Sequence, residues 1–208
     1  MTVYARGWRC CQAVVVTLAL GGLTPGRAAT VQVQVQGSDG KALPGAVVFL
    51  DSPDAARATK PMAQAEMAQE NKTFRPDVLV VTRGTAVHFP NRDTVRHHVY
   101  SFSPTKKFEL KLYTGTPASP VIFDTPGVAV LGCNIHDAMV AWVVVVDTPH
   151  HGRSSASGAV TLSDVPPGNH SLRVWHPRLP VGAPAQAQPL KLTEGGGQVT
   201  VRLTDLQP

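Results

Sequence analysis

The chain has 208 residues, enough for one large domain or two small ones, and a formal net charge of +5. Its 18 glycines, 18 prolines and short valine-rich runs disfavour helices and predict an all-β protein. Arg6, Arg9 and Arg27 lie in a segment expected to be cleaved as a signal peptide. Without them, 16 basic residues face 14 acidic ones, so nucleic-acid binding loses its electrostatic support.

The first 28 residues are predicted to be a secretory signal peptide. Arg6 and Arg9 precede the apolar run 13–20, and the small residues Gly26 and Ala28 precede the expected cleavage site. The run is too short for a permanent membrane helix. We therefore expect a periplasmic protein with no membrane span after cleavage.

Cleavage would leave one cysteine of the three. Cys10 and Cys11 lie within the predicted signal, and Cys133 remains. An exported protein in an oxidising compartment would then have no internal disulfide and one thiol that needs protection. Metal ligation at Cys133 would provide that protection.

Short strands are predicted along the rest of the chain from alternating or valine-rich runs bounded by Gly, Pro and Asn. The segment 103–117, with Lys106, Lys107 and Lys111, is predicted to be a long connection; its lysines either dock an acidic redox partner or form a solvated face. The segment 51–60 is predicted to be a polar connection. The predicted strands are 30–36, 45–50, 63–68, 78–82, 85–89, 97–102, 120–123, 128–133, 140–146, 159–162, 170–176 and 198–203, with 190–193 a weaker candidate.

Three potential metal ligands share the turn after the predicted strand 128–133. Cys133, His136 and Met139 have the spacing C-x2-H-x2-M. A thiolate, an imidazole and a weak axial thioether suit a trigonal copper site once a second histidine joins them. His97 and His98 both offer that imidazole, and because adjacent strand residues face opposite ways, one of the two points inward.

These segments resemble the cupredoxins, and the short ligand loop is most similar to that of amicyanin. Asn91, His97 and Val99 match the family pattern Asn-x5-His-x-Val. The resemblance implies a Greek-key β-sandwich over residues 60–148 and one type 1 copper ion. It also implies His97, rather than His98, as the upstream imidazole. The position after that ligand, commonly Asn in the family, is His98 here. The implied ligands are His97, Cys133, His136 and Met139, with Met139 axial.

The flanking segments have a second resemblance. The motifs Gly37-x2-Gly40-x2-Leu43-Pro-Gly and Asp164-Val-Pro-Pro-Gly168 look like parts of a transthyretin-like or carboxypeptidase-regulatory-like sandwich. We therefore expect a discontinuous second sandwich, 29–56 plus 150–208, with the central domain inserted between its strands. One enlarged sandwich is the alternative.

Several functions fit a copper or metal site of this kind. Structural zinc favours more thiolates, and a dinuclear copper site needs a second cysteine. The resemblance implies a carrier of single electrons between an exported dehydrogenase and a c-type cytochrome or oxidase. A copper carrier or assembly protein is the alternative. Enzyme activity is not expected, since no His-x-His pair offers a second copper centre. No catalytic residue or organic cofactor is predicted, and the oligomeric state stays open.

Overall fold

The computed structural model describes residues 28–208, which are built almost entirely of β-strands. The predicted all-β class is confirmed, as is a central β-sandwich flanked by strands that form a second one. The predicted signal peptide lies outside the described residues, except for Ala28. Between residues 28 and 208, no helix has the length and apolar character needed to cross a membrane.

The described chain contains seventeen strands and one short helix, α1 (Pro53–Ala58). The strands are β1 (Ala29–Gln36), β2 (Val47–Asp51), β3 (Ala65–Glu66), β4 (Ala68–Glu70), β5 (Thr73–Arg75), β6 (Val78–Thr82), β7 (Thr85–His88), β8 (His97–Ser103), β9 (Lys106–Tyr113), β10 (Val121–Phe123), β11 (Gly127–Cys133), β12 (Val140–Val146), β13 (His151–Arg153), β14 (Ala159–Val165), β15 (Gly168–Trp175), β16 (Gln186–Leu192) and β17 (Gly197–Arg202).

Both ends of the described chain meet in one sandwich, here called the terminal sandwich. One sheet has the order β14-β1-β17 and the other β13-β2-β15-β16. The alternation of β1, TVQVQVQ, turns Val31, Val33 and Val35 into the core between these sheets and its glutamines outward. Strand pairing thus joins residues on either side of the central block. The status of the terminal sandwich as a separate domain and its likeness to transthyretin stay predictions.

The intervening residues form the central sandwich. Its five-stranded sheet, β6-β12-β11-β8-β9, lies over the smaller sheet β10-β7-β3, and β4 and β5 form a separate hairpin. The core between them includes Phe89, Phe123 and Leu131, each at most 2% exposed. Cys133 and Met139 belong to the same buried cluster.

Strand β12 explains how the two sandwiches pack together. Its run VAWVVVV has buried residues on both faces, which requires a continuous apolar run rather than an alternating one. Val143 and Val145 enter the core of the central sandwich, whereas Val144 and Val146 join the core of the terminal sandwich. The β6–β12 part of the five-stranded sheet is therefore covered on both sides.

Two predicted connections were wrong, because they contain regular structure. The segment 103–117 holds β9, an edge strand in which Phe108 and Leu110 are half-buried, whereas Lys107, Glu109 and Lys111 face out. Its KKFELKLY alternation is a strand pattern that the flanking Pro and Gly residues obscured. The segment 51–60 holds α1, whose N-cap hydroxyl of Ser52 accepts a hydrogen bond from Ala55 N at 3.1 Å.

Other differences are smaller. The predicted strand 63–68 is divided into β3 and the start of β4. No strand was predicted where β13 lies, and β16 begins at Gln186 rather than at 190. The intrinsic propensity of these stretches to form strands is weak. Pairing with β2 and β15, respectively, orders them.

Leu50→Ala should test the packing of the terminal sandwich. Leu50 is fully buried, so truncation should lower the free energy of unfolding by about 2–5 kcal/mol through lost burial and a residual cavity. Chemical denaturation monitored by circular dichroism measures the change. Leu112→Ala is the matched control, because Leu112 is 50% exposed and should cost at most about 0.5 kcal/mol. Equal losses in both variants would contradict the packing described.

Candidate metal centre

Antiparallel pairing of β8 and β11 sets the position of the first two candidate ligands. Cys133, the last residue of β11, is opposite Val99, and Gly132 is opposite Tyr100. His97 lies two residues before Val99, on the same face of β8, and is fully buried. The strand register thus brings an imidazole and a thiol together from positions 36 residues apart in the sequence.

The loop after β11 adds the second imidazole. Cys133 Sγ lies 3.8 Å from His97 Nδ1 and 4.0 Å from His136 Nδ1. The ring centroids of the two histidines are 5.0 Å apart. One ligand atom from each of the three residues lies within 4.8 Å of the others. Within residues 28–208, this is the cluster of histidine, cysteine and acidic side chains close enough to hold a metal ion.

Met139 closes the ligand loop. Its backbone N–H donates to His136 O at 2.9 Å, and its side chain is 1% exposed. It packs in the same apolar cluster as Cys133. The Met139 side chain is thus buried in the cluster that contains Cys133, one backbone turn after His136.

His98 faces away from this cluster. Its Nδ1 lies 3.2 Å from Asn134 Nδ2. Its Nε2 approaches Glu109 Oε1 at 2.8 Å without the alignment of a hydrogen bond. The structure therefore places His97, and not its neighbour, next to Cys133.

Asp93 fixes the orientation of the buried imidazole. Its Oδ2 lies 2.8 Å from His97 Nε2. An ionised carboxylate accepts, so Nε2 carries the proton and Nδ1 presents its lone pair towards the sulfur. Carboxylate–histidine pairs of this kind orient imidazole ligands and raise their basicity.

The Asp93 carboxylate is itself held in place by a tight turn. It accepts hydrogen bonds from Asn71 N at 2.7 Å and Lys72 N at 2.9 Å, two residues with positive φ. Burial raises the pKa of Asp93. The hydrogen bonds from Lys72, His97 and Asn71 outweigh burial and lower the pKa below its ordinary value. The carboxylate therefore stays ionised and available as an acceptor for His97.

A second layer of polar side chains supports the segment before His97. Asn91 Nδ2 donates to Val95 O at 2.9 Å and to Tyr113 O at 2.8 Å. The hydroxyl of Tyr113 lies 2.6 Å from Gln69 Oε1 and 2.7 Å from Phe89 O. Burial is the main cause that raises the pKa of Tyr113 well above its ordinary value, so this hydroxyl remains a donor.

The sequence interpretation missed Asp93, Gln69 and Tyr113 as supports of the site. Asp93 lies four residues before His97, and that spacing was a usable signal. Gln69 and Tyr113 carried none, since they reach the site by strand pairing. The lysines considered for docking lie on β9, where Lys106 pairs with Asp124 at 3.2 Å and Lys107 and Lys111 are exposed.

The separations between the sulfur and the nitrogens fit ligands of a single metal ion. With metal–sulfur and metal–nitrogen bonds of roughly 2.3 and 2.0 Å and a trigonal arrangement, a sulfur and a nitrogen ligand would lie about 3.7 Å apart. The observed separations of 3.8 and 4.0 Å are close to that value. Two imidazoles, a thiolate and a buried thioether form a soft donor set of the kind that favours copper.

No protein-family model and no curated protein matches the chain. Among solved structures, it is similar to a Cu-containing nitrite reductase from Thermus scotoductus SA-01, with 23% identity over 44% of this chain and 26% of that one and a TM-score of 0.38. It is similar to a purple cupredoxin from Nitrosopumilus maritimus, with 22% identity, 40% and 100% coverage and a TM-score of 0.35. A mutant of amicyanin in the reduced state gives 23% identity, 49% and 99% coverage and a TM-score of 0.36. Likenesses as partial as these give no ground for a functional conclusion, which rests on the site itself.

Asp93→Asn should weaken metal binding without removing a candidate ligand. Loss of the charge that orients His97 should lower the affinity for Cu(I) by about 10- to 100-fold. Competition against a chromophoric chelator measures the affinity. Asp124→Asn is the control, because Asp124 pairs with Lys106 at the surface and should bind like the wild type. Unchanged affinity in Asp93→Asn would contradict the orienting role.

Proposed function

We propose that the protein is a type 1 copper protein that carries single electrons. The observation that carries this proposal is the buried convergence of His97 Nδ1, Cys133 Sγ and His136 Nδ1, with Met139 packed in the same cluster. The resemblance of the ligand loop to that of amicyanin supports the same assignment. His97, Cys133 and His136 would be the equatorial ligands, and Met139 the weak axial one.

Copper bound here would supply a one-electron couple between Cu(I) and Cu(II). The residues of the chain would hold the ligands in place. Strand pairing on β8 and β11 fixes His97 and Cys133, and Asp93 keeps the imidazole in one tautomer. Because these groups are held by a packed core, the ligand set would change little between the two oxidation states. Burial of Cys133, which is 4% exposed, keeps water and oxidants from its sulfur.

His136 is the proposed point of electron entry and exit. It is half-buried, whereas His97 is fully buried, so its ring connects the cluster with the surface. Ile135, beside it, is 48% exposed and offers an apolar contact. We propose that the partners are exported redox proteins, a dehydrogenase as donor and a c-type cytochrome or oxidase as acceptor. Exposed Lys107 and Lys111 would steer an acidic partner.

A catalytic role is not proposed. Four protein ligands would leave no open coordination position for a substrate, whereas catalytic metal sites keep one.

The periplasm is the proposed location, since the predicted signal peptide would direct export there. A copper carrier would use the same ligands, and it differs from an electron carrier in whether the metal leaves the protein during function.

Cys133→Ser should remove the spectroscopic signature of the site. Added Cu(II) should give the wild type an intense visible thiolate-to-copper band, because a deprotonated cysteine is a strong charge donor to Cu(II). The variant should lack the band. Absorption and electron paramagnetic resonance spectra provide the measurement, and His98→Ala serves as the control that retains the band. A wild-type protein without the band, or a variant that keeps it, would refute copper ligation by Cys133.

Met139→Gln should lower the reduction potential of the bound copper. An amide oxygen is a harder ligand than a thioether and favours Cu(II) over Cu(I). Met139→Leu, which keeps an apolar side chain but removes the axial donor, should shift the potential the other way. Redox titration of the visible band measures both values.

Retention of copper through repeated oxidation and reduction separates an electron carrier from a metal carrier, which would release the copper to an acceptor.

A further inference from the structure

Strand β9 is the outermost strand of the five-stranded sheet, and one of its edges is open. The order β6-β12-β11-β8-β9 gives it a single neighbour, β8, within residues 28–208. Its pairing with β8 is regular from Lys106 to Leu110, and the register shifts beyond that point. An edge strand presents backbone N–H and C=O groups that can pair with another strand. The regular part of β9 therefore offers a place where a second chain can extend the sheet.

The charges on the outer face of this edge alternate in sign. Lys107, Glu109 and Lys111 occupy every second position and face out. Lys106 is on the other face, where its Nζ is paired with Asp124 at 3.2 Å. Lysines alone on an edge oppose association, because like charges directly opposite each other are destabilising. A row with Glu109 between two lysines differs, since an antiparallel copy of the same row can place a lysine opposite the glutamate.

The geometry of the strand selects one such register. The regular part of β9 is centred on Phe108. Antiparallel pairing of this whole part with itself places Phe108 opposite Phe108 of a second copy, on a twofold axis. Lys107 then lies opposite Glu109 of the second copy, and the symmetry repeats this pair on the other side of the axis. Lys111 falls opposite Thr105, outside the regular part. The register with the greatest overlap is therefore also one in which unlike charges meet twice.

Phe108 gives the axis an apolar centre. Its ring centroid lies 5.5 Å from that of Phe89 and 6.0 Å from that of Phe123, and its side chain is half-buried. Residues directly opposite each other on antiparallel strands have Cβ atoms about 5 Å apart, so the two Phe108 rings would meet across the axis. This contact would cover the exposed part of each ring and add an aromatic pair to the backbone hydrogen bonds.

We propose that β9 pairs with β9 of a second copy of this chain, antiparallel and centred on Phe108. The pairing joins the two five-stranded sheets into one continuous sheet and covers both open edges. The second copy is the matching partner because it presents the same row of charges in reverse order. The interface is small, so the dimer is reversible and depends on concentration. Lys107 takes part in the pairing, which leaves Lys111 to steer a redox partner.

Sedimentation velocity of the purified protein over a wide range of concentrations tests the proposal. The fraction of wild-type dimer should rise with concentration and fall with added salt, because the Lys–Glu pairs are accessible to solvent. Glu109→Lys should raise the dissociation constant by about ten- to hundredfold, since two attractive cross-strand pairs become two repulsive ones. A wild type that stays monomeric at every concentration, or a Glu109→Lys variant that dimerises as well as the wild type, would overturn the proposal.

Lys107→Glu and Lys111→Glu are a matched pair of variants that test the register. Each reverses one lysine on the same face of the same strand, and both change the net charge equally. Lys107→Glu should weaken the dimer about as much as Glu109→Lys does, because it sets two glutamates opposite each other at both positions. Lys111→Glu should dimerise like the wild type, since its position faces Thr105. Equal effects of the two substitutions would contradict the register centred on Phe108.

A mixture of Glu109→Lys and Lys107→Glu should restore association. Each lysine at the two paired positions then faces a glutamate, so a dimer with one copy of each variant should form with an affinity close to that of the wild type. Native mass spectrometry identifies its composition, and circular dichroism establishes that each variant is folded. Recovery in the mixture also shows that Glu109→Lys does not act through its lost contact with His98. Absence of this mixed dimer would overturn the proposal.

The inference does not depend on copper, because β9 contains none of the four candidate ligands. The measurements are made on both copper-free and copper-treated protein. Failure to bind copper would leave the result on the dimer intact, and a monomeric protein would leave the copper proposal intact.

Discussion

The pairing of β8 with β11 is the constraint on which the candidate metal centre depends. Val99 opposite Cys133 places His97 beside the thiol, at the end of the sheet where the ligand loop begins. A one-residue slip would turn His98 inward instead and send its neighbour to the outer face. The buried faces of both strands hold this register. Packing of the core therefore also fixes the geometry of the site.

Buried polar groups at the site are supported by other polar groups. His97 is fully buried, and its second nitrogen is paired with Asp93, whose carboxylate is bound by the backbone of the Asn71–Lys72 turn. Gln69, Asn91 and Tyr113 tie the surrounding segments together. Such a network costs desolvation, and it is stable because nearly every member has a partner. It also holds the imidazole in one orientation before any ion arrives.

The terminal sandwich covers part of the five-stranded sheet. One face of that sheet packs over the metal cluster, and the other packs against residues such as Val47 and Trp175 of the terminal sandwich. Strand β12 is buried on both faces where the two sandwiches meet.

The sequence by itself determined the strand pattern, the all-β class and the ligand loop, because alternation, turn residues and the spacing of Cys133, His136 and Met139 are local properties. It left His97 and His98 equivalent by chemistry, and the family pattern favoured the first. Tertiary structure decided which of them faces the thiol and brought Asp93, Gln69 and Tyr113 to the site. It also set Asp51 beside Arg173, 122 residues apart, a contact that no local pattern predicts. These contacts depend on strand register and on packing between sheets, which arise only when distant segments meet.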